Sequence, residues 1–85
     1  MSGHPHVPLD QLAPGAHAIV REIRGGTDFS GRLAAMGLAK GACIEMLQNA
    51  GRGPLLVRAH ETRIALGRGE ALKILVEEAS DEPPG

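Results

Sequence analysis

The sequence predicts a mainly β protein: a small, partly open barrel of five short strands with one short α-helix. Three observations carry that prediction. Short stretches in which apolar and polar residues alternate recur along the chain, each bounded by a turn signal. Twelve glycines and six prolines in 85 residues supply the many reversals a small barrel needs. One segment, "GRLAAMGLAKG" (31–41), breaks the alternation with helical spacing and a glycine stop.

Residues 1–8 read as a flexible arm, 9–77 as the folded domain and 78–85 as an acidic, proline-ended disordered tail. Within the domain, "LDQLAPGAHAIVREI" (9–23) turns at Pro14-Gly15 and then becomes β-branched from Ala18 to Ile23. The alternation there is imperfect, which predicts a bulge or a strongly bent strand. "RGGTDFS" (24–30) reads as a loop. The helix is expected from about Ser30 to Met36, with Asp28 or Ser30 as N-cap and Gly37 in a left-handed C-terminal cap. Leu33 and Leu38 then occupy the two positions that touch in a glycine-terminated helix, and Leu33, Met36 and Leu38 plug one end of the barrel.

"CIEMLQN" (43–49) places Ile44 and Met46 on one face, "GRGP" (51–54) turns, and "LLVRA" sets Leu55, Val57 and Ala59 against Leu56 and Arg58. "HE" (60–61) is a two-residue reversal into "TRIALG", where Ile64 and Leu66 oppose Arg63 and Ala65. "GRGEA" (67–71) reads as another turn. "LKILVE" closes the chain with Leu72, Ile74 and Val76 inward and Lys73, Leu75 and Glu77 outward.

Composition excludes several function classes. Nine basic and ten acidic residues leave a formal charge of −1, no field for nucleic acid or an anionic membrane. With no Trp, no Tyr and one Phe, neither a polyproline groove nor a base-stacking platform can be built. A single cysteine, Cys43, forms no internal disulfide, which together with an N-terminus lacking a basic and apolar leader predicts a cytoplasmic protein. No run of apolar residues is long enough to insert in a bilayer.

Catalysis is not expected. Cys43 has no basic neighbour to activate it, and Glu45, Glu61 and Glu70 are scattered over strands and turns. "GRGE" and "RGGTD" lack the lysine and spacing of a phosphate loop. No cofactor is required by any motif. Four histidines invite a metal reading: His4 and His6 flank a proline on the arm, while His17 and His60 lack ligand spacing. Adventitious zinc capture is the expectation. Two chains contributing His4 or His6, His17 or His60, with Glu61, would complete a tetrahedral site and bridge a homodimer.

The order of the pieces resembles the FeoA family, the small component of bacterial ferrous iron transport. The resemblance rests on "LDQLAPGAHAIVREI", "GRLAAMGLAKGACIEML" and "GPLLVRAHETRIALGRGEALKILV", nearly the whole chain apart from the tails. It implies an SH3-like barrel and a non-catalytic accessory role beside the membrane GTPase-permease FeoB, which such a protein binds and activates or stabilises. FeoA-like domains also follow DNA-binding regions in metal-dependent repressors, but no segment here reads as a helix-turn-helix. The alternative is a soluble metal-sensing or metal-carrying protein with a His/carboxylate site. For an adaptor, Leu47, Leu56 and Leu75 fall on outward strand phases, ringed by Arg32, Lys40, Arg58, Arg63 and Arg68. Leu56 and Leu75, with Arg32 and Met36 of the helix, are the partner-binding candidates.

Overall fold

A computed structural model describes residues 6–79. Six strands, β1 (Val7–Pro8), β2 (His17–Ile23), β3 (Cys43–Gln48), β4 (Leu55–Ala59), β5 (Thr62–Leu66) and β6 (Ile74–Glu78), form one sheet in the order β1-β6-β2-β3-β4-β5. Every neighbouring pair is antiparallel. A 3-10 turn (Leu9–Gln11) follows β1, helix α1 (Gly26–Ala35) links β2 to β3, and the one-turn α2 (Arg68–Ala71) precedes β6.

The core is what the alternation dictates. Ala18, Val20, Ile44, Met46, Leu55, Val57, Ala59, Ile64, Leu66, Ile74 and Val76 all point inward from their strands. Leu9 and Leu12 cover it from the N-terminal side, Phe29, Leu33 and Ala71 from the helices, and Leu38 from the segment just past α1. No polar or charged residue is buried whole among the described residues, but two single atoms, Asp10 Oδ1 and Arg68 Nε, are shielded from solvent without a hydrogen-bond partner. The irregular alternation of β2 has the expected cause: its register against β6 shifts between Val20 and Glu22. A second shift, between Met46 and Gln48 in β3, has no such sequence signal.

Several expectations need correction. The strands number six rather than five, because Val7–Pro8 adds a short strand paired with β6; pairing therefore spans Val7 to Glu78, slightly wider than 9–77. Helix α1 begins at Gly26, not Ser30, so residues 26–30 of the stretch expected as a loop are helical, while Arg24 and Gly25 remain outside the helix. Gly25 stands at the N-cap with φ +117°, and a Cβ there would lie 2.9 Å from Cδ2 of Phe29. Only glycine permits that sharp entry, which turns Phe29 into the core. "GRGEA", expected as a turn, holds the one-turn helix α2, and the Glu70 carboxylate accepts the N–H of Gly67 at 3.1 Å.

The helix end agrees with its sequence signature. The N–H of Leu38 donates to the Leu33 carbonyl at 2.8 Å and that of Gly37 to Ala34 at 3.0 Å, with Gly37 at φ +97°. Leu33 and Leu38 are buried together, but Met36 is 39% exposed and plugs nothing. Leu72, expected inward, is 54% exposed, because α2 displaces the strand start to Ile74 and only Ile74 and Val76 keep the inward phase.

Candidate functional site

A groove of about 430 Å³ lies between α1 and the end of β2. Thr27, Ser30, Gly31 and Ala34 supply its helical wall; Glu22 and Ile23, with Ala39 and Lys40 just past the helix, supply the other. Positions 27, 30, 31 and 34 are spaced by three and four, so they form one stripe of the helix. The core-facing stripe, Phe29 and Leu33, lies elsewhere on its circumference. Small side chains keep the groove open, since nothing lies within 4 Å of where a Cβ on Gly31 would sit. The Ser30 hydroxyl donates back to the carbonyls of Gly26 (3.1 Å) and Thr27 (3.3 Å), which leaves the wall chiefly apolar. Glu22 and Lys40 give its rim one charge of each sign.

Arg32 and Met36, predicted as partner-binding, sit on the opposite flank of α1. Arg32 donates to Glu70 at 3.3 Å and stands 5.9 Å from the centroid of Phe29, while the Lys73 ammonium lies 5.3 Å from the same ring. Arg32 is thus a clasp between α1 and α2. Met36 remains an exposed apolar side chain. Leu56 and Leu75 do not form the single patch expected of them. Both are half-buried, and β2 and β3 separate their strands. Leu75 lies across from Pro8 on one side and Glu22 on the other.

A smaller hollow of about 210 Å³ is lined by His17, Cys43, Ile44, Glu45, Arg58 and His60. Here His17 and His60, far apart in sequence, reach one place, but Glu45 is already engaged. His17 Nε2 is 3.8 Å from its carboxylate, and Arg58 donates to the same oxygen. Among the described residues no three His, Cys, Asp or Glu side chains gather as a metal-ligand set. Glu61 is exposed on the β4–β5 turn and does not line the hollow. His6 is exposed ahead of β1, and His4 lies outside the described residues. The residues sequence reasoning missed are those of the groove. Their signal was the run of small side chains at helical spacing from Thr27, legible only once the helix starts before Ser30.

An antiparallel sheet of short strands curled round an all-apolar core, with its accessible hollows on the outside, is an SH3-like small barrel. A model of the FeoA domain matches residues 7–78, and the chain belongs to the FeoA family. A Methanocaldococcus jannaschii relative named Fe(2+) transport protein A is 36% identical over 72 residues, 85% of this chain and 87% of the relative. The crystal structure of an iron uptake regulatory protein (FeoA) superposes with TM-score 0.82 at 35% identity, covering 88% of this chain and all of that one. Stenotrophomonas maltophilia FeoA, solved in complex with zinc, superposes with TM-score 0.67 at 30% identity, over 81% of this chain and 87% of that one. No helix among the described residues is long and apolar enough to cross a membrane.

Proposed function

We propose that this chain is a non-catalytic accessory protein of ferrous iron transport that binds the FeoB-type GTPase-permease and activates or stabilises it. Membership of the FeoA family supports the transport assignment. The observation that carries the binding role is the groove beside α1. It is apolar on its walls, charged only at its rim and open to solvent, which suits an apolar anchor from a partner protein. Lys40 and Glu22 would orient that anchor rather than supply most of its affinity. Any nucleotide chemistry belongs to the partner.

Filling the groove tests the reading. Gly31→Trp carries a bulky side chain toward the groove from a position where a Cβ meets nothing within 4 Å. The expected result is loss of Fe(II) uptake in cells carrying the transporter, with a denaturation midpoint at or above that of the parent chain. Normal uptake by a folded Gly31→Trp protein would show that the groove is not the contact. Met36→Glu, on the opposite flank of the helix, is the matched control and should leave uptake near normal.

A further inference from the structure

The two edges of the sheet are unlike. One is β1, two residues long and ending in Pro8, which offers almost nothing to pair with. The other is β5, five residues without proline, glycine or a register shift against β4. Among the described residues, its backbone pairs with β4 alone. A free edge of this length is a template for a further strand.

The charges along that edge say what kind of strand it suits. One outward row crosses the sheet from β2 to β5: His17 faces Glu45, Glu45 faces Arg58, and Arg58 faces Arg63. The single carboxylate of the row holds Arg58 and stands beside His17. Arg63 has no acidic partner among the described residues and directly opposes another arginine, an arrangement that is unfavourable across strands. The row ends with a surplus of positive charge at the edge. Two positions along, exposed Ala65 faces half-buried Leu56, so the same outer surface turns from cationic to apolar within one step of the pleat. Beneath them Ile64 and Leu66 are buried and anchor β5 to the core.

We propose that β5 is a strand-addition site for an extended segment of a partner protein, with a carboxylate facing Arg63 and an aliphatic side chain facing Ala65. The added strand extends the row by the one charge it lacks and covers Ala65 and Leu56. A second copy of this chain suits the edge less well. Two antiparallel β5 edges centred on Ile64 would set each Arg63 against the other copy's Ala65 and give neither arginine a facing carboxylate. This surface is separate from the groove beside α1, and its test involves no transporter.

The probe is the heptapeptide Thr-Val-Thr-Glu-Thr-Val-Thr, capped at both ends, whose pattern is the same read in either direction; its twin carries Lys in place of Glu. Each is titrated into the full chain at low salt, with amide chemical shifts and hydrogen exchange followed residue by residue. The expected result is shifts and slowed exchange centred on Thr62–Leu66, with the Glu peptide binding about tenfold more tightly than the Lys peptide. Arg63→Glu should reverse that preference, and Arg63→Gln should abolish it; Arg63 is exposed, so both variants should fold. Equal affinities for the two peptides would overturn the proposal. So would shifts confined to other elements, no binding at all, or self-association of the free chain through β5 in sedimentation.

Discussion

Replacing Gly37 separates backbone strain from packing at the helix end. Its φ of +97° lies where an L side chain is strained, yet a Cβ would meet only His60 Cδ2 at 3.6 Å and Ala59 Cβ at 3.7 Å, ordinary contact distances. Any loss in Gly37→Ala is therefore conformational, about 1–2 kcal/mol, and Gly37→Val should lose more because it is β-branched. Relaxing φ is no escape, because the bonds from Leu38 to Leu33 and from Gly37 to Ala34 depend on it. A domain of 85 residues has about 4–13 kcal/mol of stability in all, so the change is a sizeable share. The melting temperature should fall by roughly 4–8 °C per kcal/mol. Urea denaturation with an unchanged m-value is the assay. Gly31→Ala is the internal control: it lies inside α1, has open space around its Cβ and should gain up to about 1 kcal/mol. A Gly37→Ala protein as stable as the parent, or two alanine variants shifting in the same direction, would refute the argument.

Other substitutions test other parts of the structure. Asn49 donates at 2.9 Å to the carbonyls of both Asp10 and Leu12 and accepts from Arg68, tying the β3–β4 loop to the 3-10 turn and α2. Asn49→Ala should cost about 1–3 kcal/mol by urea denaturation, and Asn49→Asp, which keeps the acceptor for Arg68 but turns a carboxylate oxygen onto two carbonyls, should be no more stable than Asn49→Ala. Leu72→Ser should stay within about 0.5 kcal/mol of the parent while Ile74→Ala loses about 2–4 kcal/mol, and equal losses would restore Leu72 to the core. The groove-filling and charge-reversal variants, Gly31→Trp and Arg63→Glu, should both leave the denaturation midpoint near or above that of the parent while altering different binding readouts.

The strands were legible because their signal is local. Val57 and Ala59 of β4, or Ile64 and Leu66 of β5, declare their inward face by alternation alone, and the Leu33-Gly37-Leu38 cap is written within six residues. What escaped depends on contacts distant in sequence. The pair Gly25-Gly26 is by itself a loop signal; Gly25 becomes a helix entry only because Phe29 and Lys73 close over it. Leu72 keeps the apolar phase of β6 in sequence, but the turn of helix before it swings it to solvent. Leu56 and Leu75 look alike in their strands, and only the sheet order, which inserts β2 and β3 between β6 and β4, shows that they cannot share a patch.

The groove escaped for a related reason, and its cost argues that it is not incidental. Helix α1 has ten residues, and two of them, Phe29 and Leu33, serve the core. Arg32 joins it to α2 through Glu70. Gly31 serves neither purpose: it caps nothing, touches nothing within 4 Å of its missing Cβ, and weakens a short helix by about 1 kcal/mol relative to alanine. Core packing does not require a glycine there, because the space beyond it is open. The feature its absent side chain does preserve is the depth of the groove between Ile23, Ala34 and Ala39. If that depth matters to a partner, Gly31→Ala should raise stability and lower Fe(II) uptake together, two opposite signs from one methyl group. A chain made more stable with uptake unchanged would leave Gly31 without a role and remove the strongest reason for placing the partner there.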